Sequence, residues 1–288
     1  HLAAGDISAK RAGVNLSADQ YLAFSTDIDG NTRPTTWDIG ADQVMAGKPI
    51  YRSVAPGLTT SLAAGTSNAV TIAGTTATFT PALPDNVGVG DALVYSSNGQ
   101  IAFVHARTDS THYDVRKSDA TAPTAASGDT TWNIYRAYTS LANAEAGIEN
   151  TGIPVGLRNF DNWTAGGDAT TDDVGKDIAS SDEQWNIACY ANGTTADTSL
   201  TTVDGWTTGA NNYIRIYTPT LTSEVGMSQR HAGVWDTNKY RLEVSSTAIA
   251  LSNYEAYVWI DGLQISVNND TVYHRPLNTE GQAGVANE

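Results

Sequence analysis

The chain has 288 residues, with 16 Lys plus Arg against 31 Asp plus Glu, for a formal net charge of −15. That charge opposes binding to nucleic acid or to an anionic membrane surface, and no run of about 18 apolar residues is present to insert in a bilayer. Charged residues are only 16%, against ~25% in ordinary soluble domains, so the wet surface rests on Thr, Ser, Asn and Gly, as in β-rich extracellular proteins and virion fibres.

Residues 1–55 carry Ser25-Thr-Asp-Ile-Asp-Gly-Asn-Thr-Arg-Pro34 and then Trp37-Asp-Ile-Gly-Ala-Asp-Gln43. Asp27, Asp29 and Asn31 place oxygen ligands at alternate positions, as a calcium loop does. An EF-hand also needs further acids and a distal Glu, which are missing here. The favoured reading is an Asx turn in which Asp27 and Asp29 bond the local backbone and Arg33 pairs with one of them. Calcium is therefore the one possible cofactor, with Asp27, Asp29 and Asn31 as its candidate ligands. A short helix is expected near 41–46.

Residues 56–136 read as a small self-contained β module. Strands are expected at 68–73 and 75–80, joined at Gly74, then at 91–95, 101–105, 112–115 and 132–135. Turn signals separate them at Gly88 to Gly90, Asn98-Gly99 and Ser127-Gly128. Six short strands with close turns suggest a compact barrel or sandwich.

Residues 137–288 open with the best helix candidate, 140–148, where Ser140 can cap and Leu141, Ala144 and Ile148 share one face. A loop follows in which Asp161, Asp168, Asp172, Asp173, Asp177, Asp182 and Glu183 crowd around Lys176. It reads first as solvated acid, and otherwise as a cation or sugar site. Strands are expected at 184–190, 213–217, 240–244 and 256–267. The last is broken by Asp261-Gly262, as where a coil turns a corner into another sheet. Cys189 is the only cysteine, which excludes an internal disulfide, and its apolar strand setting is that of a buried thiol. Arg230, His231, Asp236 and Arg241 sit close in sequence, and a proton-abstracting site built from them competes with a plain salt link. The five histidines lack zinc-ligand spacing. Most of the seven tryptophans are expected in the core, Trp132 and Trp185 through their shared Trp-Asn-Ile pattern. Trp163 and Trp206, in polar loops, are the candidates for a surface role. Sequons at Asn15, Asn162, Asn192 and Asn269 arise easily in an Asn- and Thr-rich chain.

Two stretches resemble right-handed parallel β-helix surface proteins of the pectate-lyase-like superfamily. One runs from Asn211-Asn-Tyr-Ile-Arg-Ile-Tyr-Thr-Pro219 through Arg230-His-Ala-Gly-Val-Trp-Asp236, Tyr240-Arg-Leu-Glu-Val244 and Val258-Trp-Ile-Asp-Gly-Leu263 to Ile265, and is similar to the entry into such a helix. The other, 25–34 followed by Asp38-Ile-Gly-Ala41, is similar to the segment that closes the last coil. The closing segment comes first in the chain, and too few residues follow Ile265 for a tall stack.

The resemblance implies an all-β fold, with partial parallel β-helix segments flanking a small β-barrel or β-sandwich. Residues 1–55 would be a terminal segment, 56–136 the module and 137–288 an entry region with a capping helix. The chain starts at His1 without a signal-peptide pattern, so either a leader was removed or a longer protein supplies the flanking coils. The expected role is structural: an extracellular or cell-surface fibre or stalk, or a virion component, built end to end with copies of itself or tandem modules. No nucleic acid and no membrane insertion are expected. The alternatives are a carbohydrate-binding or polysaccharide-lyase-like β-helix protein, with glycans as partners, and a phage tail-fibre segment. A lyase is the enzyme runner-up to a non-enzymatic protein.

Overall fold

The computed structural model describes residues 13–21, 23–26, 37, 39–40, 47–161, 176–245, 249–268 and 275–280. Two compact units result, His1–Gly47 and Lys48–Glu288. In the first, the Gly13 amide donates to the Trp37 carbonyl at 2.7 Å. The buried Trp37 ring meets Phe24 at a centroid distance of 4.8 Å. Asn15 and Asp19 accept the Ser17 and Tyr21 amides, which are Asx turns. Asp27, Asp29, Asn31, Arg33 and the helix expected at 41–46 lie outside the described residues.

The second unit begins earlier than the 55/56 boundary read from the sequence, because β1 (Lys48–Val54) forms a seven-residue parallel ladder with a strand far down the chain. The module follows as β2 (Ala63–Ala64), β3 (Ala69–Ala73), β4 (Thr76–Thr80), β5 (Ala92–Tyr95), β6 (Gln100–Arg107), β7 (His112–Arg116), β8 (Ala126–Asp129) and β9 (Asn133–Tyr135). Gly74 turns β3 into β4 with φ +60, as its lack of Cβ permits. The eight strands make one antiparallel sheet in the order β2-β9-β5-β6-β7-β4-β3-β8. Phe79 of β4 meets Trp132, beside β9, edge-on at 5.0 Å although three strands separate β4 from β9 in that order. The sheet is therefore curled around its own core. Val70, Ile72, Phe79, Leu93, Val104, Val115 and Ile134 fill the inside. The opposite face, through Ala92, Val94 and Phe103, joins the main core of the unit.

Helix α1 (Leu141–Ala146) forms where expected. Ser140 accepts the Asn143 amide at its start, and Gly147 stops it in the left-handed region, φ +65. Leu141 and Ala144 are buried, but Ile148 falls beyond the stop and is 56% exposed, so it does not extend the apolar face as expected.

The remaining strands are β10 (Glu183–Cys189), β11 (Thr201–Val203), β12 (Ile214–Tyr217), β13 (Arg241–Val244), β14 (Leu251–Asn253), β15 (Val258–Asp261), β16 (Gln264–Val267) and β17 (Leu277–Thr279). They pair only in parallel, in three ladders: β1-β10-β12-β15, β11-β14-β17 and β13-β16, the last begun by a bridge from Asp197 to Leu242. The chain visits the ladders in fixed rotation: β10, Asp197, β11; then β12, β13, β14; then β15, β16, β17. The interruption at Asp261-Gly262 is indeed a corner between two ladders, with Gly262 at φ +75. Parallel strands buried on their inner face read as apolar at alternate positions, and the register aligns those positions into rows. One row is Ile50, Trp185, Ile214 and Val258, and the next is Arg52, Ile187, Ile216 and Ile260.

Candidate functional site

Three features of the second unit merit a chemical reading: its covered pole, its open pole and the outer face of the longest ladder.

The covered pole is where all three ladders begin. α1 packs on β1 and β11, and the Leu141 amide at its first turn donates to Asp197 at 2.7 Å. The module reaches the same pole through β6 on β1. Helix and module thus cover the same pole. Two buried ion pairs lock the joint. Arg52, 0% exposed, donates through Nε and Nη2 to Asp161 at 2.6 and 2.7 Å, with its guanidinium 3.8 Å from the Phe103 ring centroid. Tyr138 donates its hydroxyl to the same carboxylate at 2.6 Å. Burial pulls the Arg52 pKa down, but the charge and hydrogen bonds of Asp161 outweigh it, and the net shift is upward. Arg136 donates to Asp91 at 2.6 Å, both fully buried, and lies over the Tyr190 ring at 3.6 Å. Burial raises the Asp91 pKa, while Arg136 works against that rise. These groups are sealed from solvent, which suits a joint and excludes contact with a substrate.

At the other pole, among the described residues, all three ladders end on one circuit, β15, β16 and β17. The inward rows open there. Ile187, Ile216, Leu242 and Val244 are at most 3% exposed, whereas Ile260, Ile265 and Val267 are only partly buried. Leu251 is fully buried and its partner Leu277 is 42% exposed. The backbone follows suit. The Tyr257 and Asp261 carbonyls accept from Ile214 and Thr218 of the preceding circuit. By the alternation of a parallel ladder, Val258 and Ile260 turn their peptide groups to the open side, where no strand pairs with them among the described residues.

The outer face of the longest ladder carries two register rows: Tyr51, Asn186, Arg215 and Trp259, then Ser53, Ala188, Tyr217 and Asp261. Trp259 stacks on Tyr213 with centroids 4.6 Å apart and planes 10° apart, and stays 56% exposed. Beside it Asp261 takes Arg230 at 2.8 Å and Arg215 at 3.5 Å. The hydrogen bond from Arg230 leads the causes that hold the Asp261 carboxyl below the usual range. Arg230 crosses the corner at Gly262, where a Cβ would stand 2.2 Å from its Nε. The strip thus offers an aromatic platform edged by fixed donors and a fixed carboxylate.

Most residues singled out from sequence do not converge. Asp168, Asp172, Asp173 and Trp163 lie outside the described residues. Of the same acidic loop, Asp161 is buried in the Arg52 pair, Glu183 is buried with Lys48 at 3.7 Å, and Asp177 caps a turn by accepting the Ser180 amide. Among the described residues no group of His, Cys, Asp or Glu is placed to hold a metal. Arg230, His231, Asp236 and Arg241 separate: His231 accepts the Gly233 amide, Asp236 the Asn238 amide, and Arg241 pairs with Glu243 at 2.8 Å. Trp206, expected at the surface from its polar loop, is instead in the core. It is 3% exposed and stacks on Trp185 at 4.5 Å, because its loop folds inward against the core. Cys189 is buried, and burial raises its thiol well above the usual value. Trp259 and Arg215 were missed; the available signal was their position between inward apolar neighbours on short strands.

Comparison with protein-family models, with curated proteins and with solved structures gives no match. Among the described residues no helix is long and apolar enough to cross a membrane.

Proposed function

We propose that this chain is a structural segment of a parallel β-solenoid fibre or surface stalk, of the β-helix kind its motifs resemble, extended at its open pole by the coils of a second copy or a following module. The observation that carries this reading is that, among the described residues, three ladders end on one circuit whose inward apolar rows are only partly covered, opposite a pole sealed by helix, module and buried ion pairs. Open edges of this kind are templates for further strands, and stacked coils bury a continuous core only when a neighbour is added. The net charge of −15 opposes lateral clumping and leaves the pole as the favoured contact. An extracellular, cell-surface or virion setting belongs to the same reading.

The test is sedimentation velocity combined with amide hydrogen exchange over a concentration series. Association should grow with concentration and slow the exchange of the Val258 and Ile260 amides. Ile260→Pro, which removes one open-side N–H, should abolish the association and leave the Val258 amide exchanging fast at every concentration. Fast exchange of the Val258 and Ile260 amides of the unaltered chain at every concentration would sink the proposal.

The outer strip favours a second reading, a glycan-binding protein, since Trp259 offers a flat ring beside fixed polar groups. It supports binding over cleavage, because Asp261 is already held by two arginines. Polyuronic acids incubated with the protein should give no unsaturated product by absorbance, and a product would revive the lyase reading.

A further inference from the structure

The β module holds a cleft of about 300 Å³ formed by three separate segments: the end of β2, the turn between β5 and β6, and the entry to β9. Its lining mixes apolar surface, from Ala64 and Trp132 among others, with hydroxyl and carboxamide groups, and carries no ionisable side chain. Thr66, Ser97, Asn98, Thr130, Thr131 and Asn133 surround a floor that includes the buried Trp132. The Trp132 indole N–H is already given to the Asn68 carbonyl at 3.1 Å, which fixes the floor. Gly65 lets the first segment come this close, because a Cβ there would stand 2.5 Å from the Trp132 ring and 2.7 Å from the Thr130 carbonyl oxygen.

The turn at the mouth is the unusual part. Ser96, Ser97 and Asn98 are three successive non-glycine residues in the left-handed region, with φ of 52, 55 and 65. Side chains disfavour that conformation, and it persists only where the surroundings impose it. They do so here. Asp129 accepts the Ser96 amide at 2.6 Å and Thr131 Oγ1 accepts the Ser97 amide at 2.8 Å. Asp129 in turn accepts the Thr131 amide and hydroxyl, both at 2.7 Å. The one nearby carboxylate is thus spent on the turn, and the imposed geometry carries Ser97 and Asn98 to the rim of the cleft. Glycine was available to this chain for an unstrained turn, and Gly99 is the next residue. Hydroxyl and carboxamide groups stand there instead.

We propose that this cleft is a binding site for an uncharged saccharide, with one sugar ring seated between Asn98, Thr66 and the Thr130 to Asn133 segment. The volume is at the small end of ligand clefts, which suits a single ring. Uncharged hydroxyls and amides match the alternating donors and acceptors of sugar hydroxyls, while a chain of charge −15 disfavours acidic sugars. The site is independent of the open pole and of the Trp259 strip.

The probes are glucose, galactose, N-acetylglucosamine and their short neutral oligomers, with sialyllactose and galacturonate oligomers as charged comparisons. Binding is read by saturation-transfer NMR and by shifts of the Asn98 and Thr131 amides. At least one neutral probe should bind in the millimolar range and move those amides, and the charged ones should bind more weakly. Asn98→Gly keeps the turn, since glycine takes positive φ freely, and should weaken binding by about tenfold with the melting temperature unchanged or raised. Trp259→Ala should leave this binding intact. No neutral probe bound, unaltered binding in Asn98→Gly, binding lost in Trp259→Ala, or preference for the acidic sugars would each overturn the proposal.

Discussion

The module and the parallel ladders are both built from short β-strands, yet they finish differently. In the module the sheet curls until its inner face meets itself, and Val70, Phe79, Leu93 and Val115 are all at most 1% exposed. In the ladders each circuit covers the one before, so burial depends on what comes next: it is complete at Ile187 and Ile216 and partial at Ile260. An antiparallel sheet can close its core within a short length of chain. A parallel stack transfers its uncovered surface to its last circuit. The difference predicts which substitutions hurt the isolated chain and which are felt only on association.

The largest effect is expected at the joint between the two regions. Asp161→Ala strands the Arg52 cation in the interior and should cost about 3–5 kcal/mol in urea unfolding. Arg52→Met combined with Asp161→Leu should recover most of that loss, since an apolar pair replaces the buried charges. Next, Phe79→Ala in the module core should cost about 3–5 kcal/mol. Ile260→Ala at the open pole should cost about 1 kcal/mol in dilute protein, because the side chain is already partly exposed. Equal costs at these two positions in dilute protein would break the comparison.

A smaller effect is expected with acid. His105 lies on β6 against Tyr51 of β1, with ring centroids 5.2 Å apart. Burial, then the charge of Arg52, pushes its pKa down to about 3. The folded state therefore holds the ring neutral while the unfolded chain takes up a proton below about pH 6.5. Stability contributed here is full above that pH and falls progressively as pH drops toward 3. His105→Phe should flatten that part of the pH–stability curve, measured by thermal melts. The smallest effect is at the exposed strip. Asp261 has a depressed pKa, so its contribution is present above the usual carboxylate range and fades as pH falls through it. Arg230→Gln should raise the Asp261 titration midpoint, read by carbon-13 NMR, with little change in melting temperature.

Local signals carried most of the strand assignments. Gly74 between two alternating runs located the β3–β4 hairpin, and Asp261-Gly262 located the corner between β15 and β16. Ser140 and Gly147 bracket the helix, and the Gly stop leaves Ile148 off the apolar face that helical spacing alone assigns it. What was not legible depends on contacts far apart in the chain. Arg52 and Asp161 are 109 residues apart, and nothing local marks either as the other's partner. The membership of β1 in the long ladder is hidden for the same reason. The burial of Trp206 is not legible because a polar neighbourhood says nothing about the side of the loop that faces the core. The cleft depends on positive φ at Ser96 and Ser97, a conformation that serines do not advertise.

The covered pole also has a consequence for the order in which the protein takes shape. β1, the module and α1 precede every later circuit in the chain, so they are available to fold while the rest is still being made. Each circuit that emerges then meets a finished edge to lie on. Hydrophobic surface is exposed at one moving front, never along the whole chain at once. A nascent protein organised in this way carries its own template and needs little protection from wrong partners until its final strands appear.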